Sequence, residues 1–337
     1  MSRRTILMAC ALLSACATSN STAHGPEAHD PKASSPPALG AASTLPCQGS
    51  TDRGYHPQGT LLWGTERQDD NQEMSSVMSS LELGDIQLEG GRLTASVGTR
   101  FQGTASNGAR VEAALCGSEP QNDGSGLVWY RIELRRAGTT AWVNPCVATD
   151  AVPEPRALAV AGVWNARGGH EARPGRFTFA CENGVIAKCA DWGYAPWATK
   201  DGQSLAKLHQ ACTRMARADY CGDGRSHTLD ETIIDMYDVL DVQTRTLTSS
   251  TRWDLSKAAF EAAWMPDGST CLSQTRDGKS LPEILQECPG RFELKAKDIG
   301  GGDQCMATRR GVDPSTALLR NHSYTKNPQV GMRGTAP

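Results

Sequence analysis

Ten cysteines lie downstream of Cys16: Cys47, Cys116, Cys146, Cys181, Cys189, Cys212, Cys221, Cys271, Cys288 and Cys305. An even set of this size constrains the fold more than any other feature of the 337-residue chain. Zinc sites need tight Cys-x-x-Cys pairs, and none occurs here. Disulfides need an oxidising compartment, so the framework depends on where the chain is sent. Net charge is −3, neither strongly basic nor strongly acidic, so nucleic acid is not an expected partner.

The first sixteen residues, MSRRTILMACALLSAC, give that address. Arg3 and Arg4 precede a short apolar run from Thr5 to Leu13, and small residues follow. This is a secretory signal, too short to span a membrane. The tetrapeptide Leu13-Ser14-Ala15-Cys16 resembles the bacterial lipobox. The resemblance implies cleavage before Cys16 and acylation of its thiol, with residues 1–15 as the signal peptide. Two or three acyl chains anchor stably, since each buried CH₂ contributes about 0.8 kcal/mol. Ala17 in place of aspartate favours the outer membrane over the inner. The expected location is therefore the cell envelope, with the membrane as a partner through Cys16.

In that compartment the ten cysteines read as five disulfides. Ten cysteines permit on the order of 10³ pairings, so spacing alone does not fix them. Cys181 and Cys189 flank ENGVIAK, a hairpin or loop that one bridge would close. Cys212 and Cys221 would lie about 13 Å apart along an unbroken helix, so they pair only if the helix ends between them.

The expected fold class is α+β, mainly β. Residues 16–46 carry Ala, Ser, Pro and Gly with few large apolar side chains, the composition of a disordered tether. Residues 47–150 read as a β-rich domain, a small sandwich or barrel. Its signals are a hairpin over 86–97 with Gly90-Gly91 at the turn, and strands over 110–115 and 127–134. Trp142-Val143 adds a shorter one. Residues 155–310 form a disulfide-stapled domain with strands at 157–164, 176–180, 232–239 and 260–264. Its main helix runs over 204–218, where Leu205, Leu208, Cys212 and Met215 recur at helical spacing. A short helix is expected at 282–287. The tail, residues 311–337, has no periodicity and is expected to be loose.

The main helix runs into Ala218-Asp219-Tyr220-Cys221 and Gly222-Asp223-Gly224. Upstream stand Lys188-Cys189, Trp192-Gly193-Tyr194 and Pro196-Trp197, and downstream Asp235-Met236-Tyr237-Asp238 and Ala262-Ala263-Trp264 with Asp267-Gly268 and Cys271. Together these are similar to the ADYC domain, a bacterial family named for its tetrapeptide, over roughly residues 155–310. The resemblance implies no reaction, ligand or catalytic residue.

Three groups carry chemistry. Asp219, Asp223, Gly224, His227 and Asp230 stand at positions 1, 5, 6, 9 and 12 of an EF-hand-like count. Cys221 at the third position and Asp at the twelfth depart from that pattern, and a disulfide-pinned turn capped by its own Asp and Ser side chains is the favoured alternative. Ser226 and His227 are adjacent, but neighbouring side chains diverge and do not make a nucleophile–base pair. His209, on the main helix, is a candidate neighbour for His227. Trp192, Tyr194 and Trp197 would serve either as a stacking platform or as core. No Gly-x-Ser-x-Gly or His-Glu-x-x-His motif occurs, and no metal or other cofactor is implied. The expectation is therefore an envelope lipoprotein acting as a binding or structural module toward an envelope protein or glycan. The alternative is a hydrolase or metal-dependent enzyme using the 219–230 loop.

Overall fold

The structure, a computed structural model, describes residues 45–48, 61–62, 64, 68–69, 72–73, 80–106, 108–148, 152–229 and 232–324. The signal, Cys16, nearly all of the tether and Asp230 lie outside the described residues. The fold is mainly β, as the sequence predicts.

Six strands close an antiparallel barrel. They are β1 (Ser80–Glu82), β2 (Arg100–Thr104), β3 (Arg110–Pro120), β4 (Val128–Arg136), β5 (Ala157–Ala161) and β6 (Arg176–Cys181). Each strand pairs with its neighbour in sequence, and β6 returns to β1, so the barrel is a simple closed meander. Closure leaves no free sheet edge. Leu81, Phe101, Val111, Leu115, Tyr130, Ile132, Phe177 and Phe179 fill the interior. The expected hairpin forms with Leu88–Glu89 against Arg92–Leu93. Its turn takes positive φ at both Gly90 and Gly91, a conformation glycine adopts without steric cost.

The barrel draws β5 and β6 from beyond the expected boundary near residue 150. On β5, Ala157 and Ala159 point into the barrel, whereas Leu158 and Val160 pack outside it. A strand buried on both faces is continuously apolar, so it lacks the alternation that marks a barrel wall.

Outside that wall lie α1 (Val185–Cys189) and α2 (Ala206–Arg217). Beyond α2 is a second antiparallel sheet of six strands. Its strands are β7 (Ile234–Asp238), β8 (Ala258–Met265), β9 (Gly268–Leu272), β10 (Phe292–Asp298), β11 (Gln304–Arg309) and β12 (Leu319–Tyr324). They stand in the order β7-β12-β8-β9-β11-β10. The helix α2 is sandwiched in a second core, where Leu208, Cys212 and Met215 meet Leu158, Val160 and Trp164 on one side and Trp264, Leu272 and Leu319 on the other. Between β9 and β10, α3 (Leu281–Glu287) starts at a capping box formed by Ser280 and Glu283.

Two expectations are corrected. The tail is ordered through Tyr324, because β12 inserts between β7 and β8 and pairs with both. Its anchor is long-range pairing, which has no local signature. The Cys181–Cys189 bridge does not form. Five disulfides join Cys47–Cys116, Cys146–Cys181, Cys189–Cys212, Cys221–Cys288 and Cys271–Cys305. Cys181 belongs to the barrel core and Cys189 to the helical core, so the intervening turn carries their thiols to opposite layers. Each bridge staples one layer: Cys189–Cys212 ties α1 to α2, and Cys271–Cys305 ties β9 to β11.

Candidate functional site

The tetrapeptide after α2 ends the helix, and every residue in it has a separate task. A helix leaves its last four carbonyls without intrahelical donors. Ala218 turns left-handed at φ 50°, and its N–H returns to the Met215 carbonyl at 2.9 Å. The Asp219 N–H takes the Arg214 carbonyl at 2.9 Å. The Arg217 carbonyl accepts from the N–H groups of His227 and Thr228 at 3.0 and 3.1 Å and from Ser226 Oγ at 3.0 Å. The remaining carbonyl, that of Ala216, accepts from the Arg276 guanidinium at 3.0 Å, and the same guanidinium gives the Met215 carbonyl a second donor at 3.0 Å.

Asp219 is fully buried. Its carboxylate pairs with Arg214 and accepts the N–H groups of Asp223 and Gly224 at 3.2 and 3.0 Å. The turn is therefore folded around that carboxylate. Gly222 is obligatory in it, since a Cβ there would sit 1.9 Å from the Asp267 carbonyl oxygen. Cys221 closes the turn onto the end of α3 through Cys288.

Tyr220 points into the sheet. Its ring stacks between His227 and Trp264, with centroids at 5.4 and 5.5 Å. Its hydroxyl accepts from the Arg276 N–H at 2.8 Å and donates to Glu261 Oε1 at 3.2 Å. Burial, with the Glu261 charge adding to it, pushes the Tyr220 hydroxyl well above the usual phenol range. Glu261 and Arg276 are fully buried and doubly bonded, Nη2 to Oε1 at 2.9 Å and Nε to Oε2 at 3.2 Å. Asn321 completes the group, donating to Glu261 Oε2 at 3.0 Å and accepting from Trp264 Nε1 at 2.8 Å. Buried charges are tolerated when paired and fully hydrogen-bonded, and this network meets that condition from four separate segments.

His227 leaves the turn in another direction. Its Nδ1 lies 2.9 Å from Asp277 Oδ2, and its Nε2 faces Glu287 Oε2 at 3.2 Å. Lys279 bonds the other oxygen of Glu287 at 2.7 Å. Burial raises the carboxyls of Asp277 and Glu287, but His227 and Lys279 more than offset it and hold both below their ordinary values. Asp303, deep in the second sheet, is likewise held low despite burial, by His322, Tyr237 and Arg320. A carboxyl whose pKa falls on folding stabilises the native state above its unfolded value and loses that contribution as pH drops through the folded one. Stability should therefore fall as pH drops from neutral through the ordinary carboxyl range and below it. In urea melts across that range, Asp277→Asn should flatten the fall, and an unchanged slope would contradict this account.

The sequence candidates are thus dispersed. Asp219 is enclosed by its own turn, Asp223 is exposed and caps the Arg225 N–H at 3.0 Å, and His227 faces Asp277. These side chains do not converge on one cleft. His209 is far from that position: its ring bonds the Ile186 carbonyl at 2.9 Å and packs on Trp164. Burial lowers its pKa to about 4, so it is neutral in the core. Tyr194 is buried and donates to Asp238 at 2.9 Å. Trp192 and Trp197 are half-buried against the helical core, and the Trp197 ring covers the Gly90-Gly91 turn closely enough to exclude a Cβ at Gly91.

The sequence reading missed Glu261, Arg276, Asn321, Asp277 and Glu287. One signal was present. Glu261 stands within Phe260-Glu261-Ala262-Ala263-Trp264, and a charge inside an apolar strand requires a partner.

Searches of curated proteins and of solved structures return no match. The family model of the ADYC domain matches residues 94–278, more than half of the chain. The match begins in the barrel, well before residue 155, and ends past Arg276. It thus takes in both layers that the tetrapeptide joins, and this chain belongs to the ADYC domain family.

Proposed function

We propose that this chain is a cell-envelope lipoprotein, held at the membrane through Cys16, that acts there as a binding or structural module. The observation that carries the reading is the pairing of all ten later cysteines into five disulfides, with Cα separations of 5.1–5.9 Å. Such a framework suits an oxidising compartment. The Leu-Ser-Ala-Cys tetrapeptide supplies the route there and the anchor. A module role, toward an envelope protein or glycan, is supported by the way Asp219, Tyr220 and Cys221 are committed to ending α2 and joining it to the second sheet.

Metabolic labelling with radioactive palmitate tests the anchor. The wild-type chain should take up label and partition with membranes, and Cys16→Ser should lose both properties. A wild-type chain that is exported but unlabelled would overturn the reading.

A further inference from the structure

A cleft of about 350 Å³ opens on the barrel wall where β2, β3 and β4 end. Arg110, Arg135 and Arg136 line it with Gln102 and Thr139, and Glu112 is the one carboxylate among the described lining residues. The local chain explains the convergence. Register places Arg135 opposite Glu112 and Arg136 opposite Val111. The turn after β4 is then pinned to Arg110, whose carbonyl accepts from the Ala137 N–H at 2.9 Å. The Thr139 hydroxyl closes the turn on the Arg136 carbonyl at 2.9 Å.

Arg135 is fixed in advance. Glu112 bonds it from one side, and its guanidinium lies 5.0 Å from the centre of the buried Trp142 ring. Arg100 stacks on the same ring at 5.5 Å and reaches Glu112 at 3.5 Å. Glu112 is therefore shared by two guanidiniums. Arg110 has no ion-pair or side-chain hydrogen-bond partner among the described residues. Positive charge is concentrated here on a chain whose net charge is −3.

We propose that this cleft binds a phosphate ester. A guanidinium pre-set by stacking recognises oxyanions with little ordering cost. One guanidinium satisfies a carboxylate through two parallel bonds, whereas a phosphate offers three oxygens and up to two charges, enough for several. The volume lies near the lower end for small-molecule sites, which suits one phosphate with a small substituent such as glycerol or a single sugar. The site deepens the binding-module reading by giving it a ligand class, and it does not depend on acylation.

The test is calorimetry on the full chain carrying Cys16→Ser, with glycerol 3-phosphate as the soluble probe. Phosphatidylcholine vesicles with and without phosphatidylglycerol form the second arm. Binding to either probe should weaken by about tenfold or more in Arg110→Ala, less in Arg110→Lys, and remain unchanged in Arg131→Ala, which alters an exposed arginine elsewhere on β4. Soluble binding assigns the site to a free ester, and vesicle binding that requires phosphatidylglycerol and Arg110 assigns it to a lipid headgroup. Absence of binding in both arms, or equal binding by wild type and Arg110→Ala, would overturn the proposal. A wild-type chain that takes up palmitate yet ignores both probes would remove this site and leave the anchor intact.

Discussion

Replacing Arg276 by alanine should lower the unfolding free energy by about 3–5 kcal/mol, the range for breaking a buried ion pair from one side. The magnitude follows from what remains. Glu261 would keep a charge at a position with no exposure, retaining only Asn321 and Tyr220 as donors. The Ala216 carbonyl, which Arg276 bonds at 3.0 Å, would lose that donor at a buried helix end, and the Met215 carbonyl would keep only the Ala218 N–H. The charge accounts for most of the loss, so Arg276→Ala with Glu261→Gln should recover part of it. Urea melts of the two variants separate these contributions. A double variant no more stable than the single one would show that the weakened helix end, and not the stranded carboxylate, dominates.

Removing the Cys221–Cys288 bridge by a double serine substitution should cost about 4 kcal/mol. The bond closes a loop of sequence separation 67, and loop-closure entropy at that length gives this figure. The bond also ties the turn after α2 to the end of α3, beside His227 and Glu287. Loss of the bridge should therefore loosen that ion cluster as well as the loop. Amide hydrogen exchange should report faster opening at residues 281–288 than in the barrel, whose own bridges, Cys47–Cys116 and Cys146–Cys181, are untouched. Uniform acceleration across both layers would mean that the two open as one unit.

These effects centre on residues whose importance was unevenly legible. The main helix was readable because its apolar face recurs at helical spacing, and the hairpin was readable because two glycines mark its turn. The tetrapeptide itself was visible, and so was its turn-forming character. Its partners were not. Arg276 and Asn321 are 15 and 60 residues from Glu261, and nothing local in either neighbourhood announces a buried ion pair. The cleft at Arg110 was invisible for the same reason, since it exists only once strand register brings the start of β3 beside the end of β4.

By itself, the sequence determined the framework chemistry, the mainly β class and the family, because cysteine parity, strand alternation and a contiguous motif are local properties of the chain. Which cysteine meets which was a tertiary matter. The ten cysteines downstream of Cys16 could have paired in many ways. Pairing was decided by which side of each strand or helix a thiol faced once the barrel closed and β12 entered the second sheet. Two cysteines eight positions apart ended in different layers because a single turn reversed the direction of their side chains, and the packing of those layers, not sequence distance, brought each thiol to its partner.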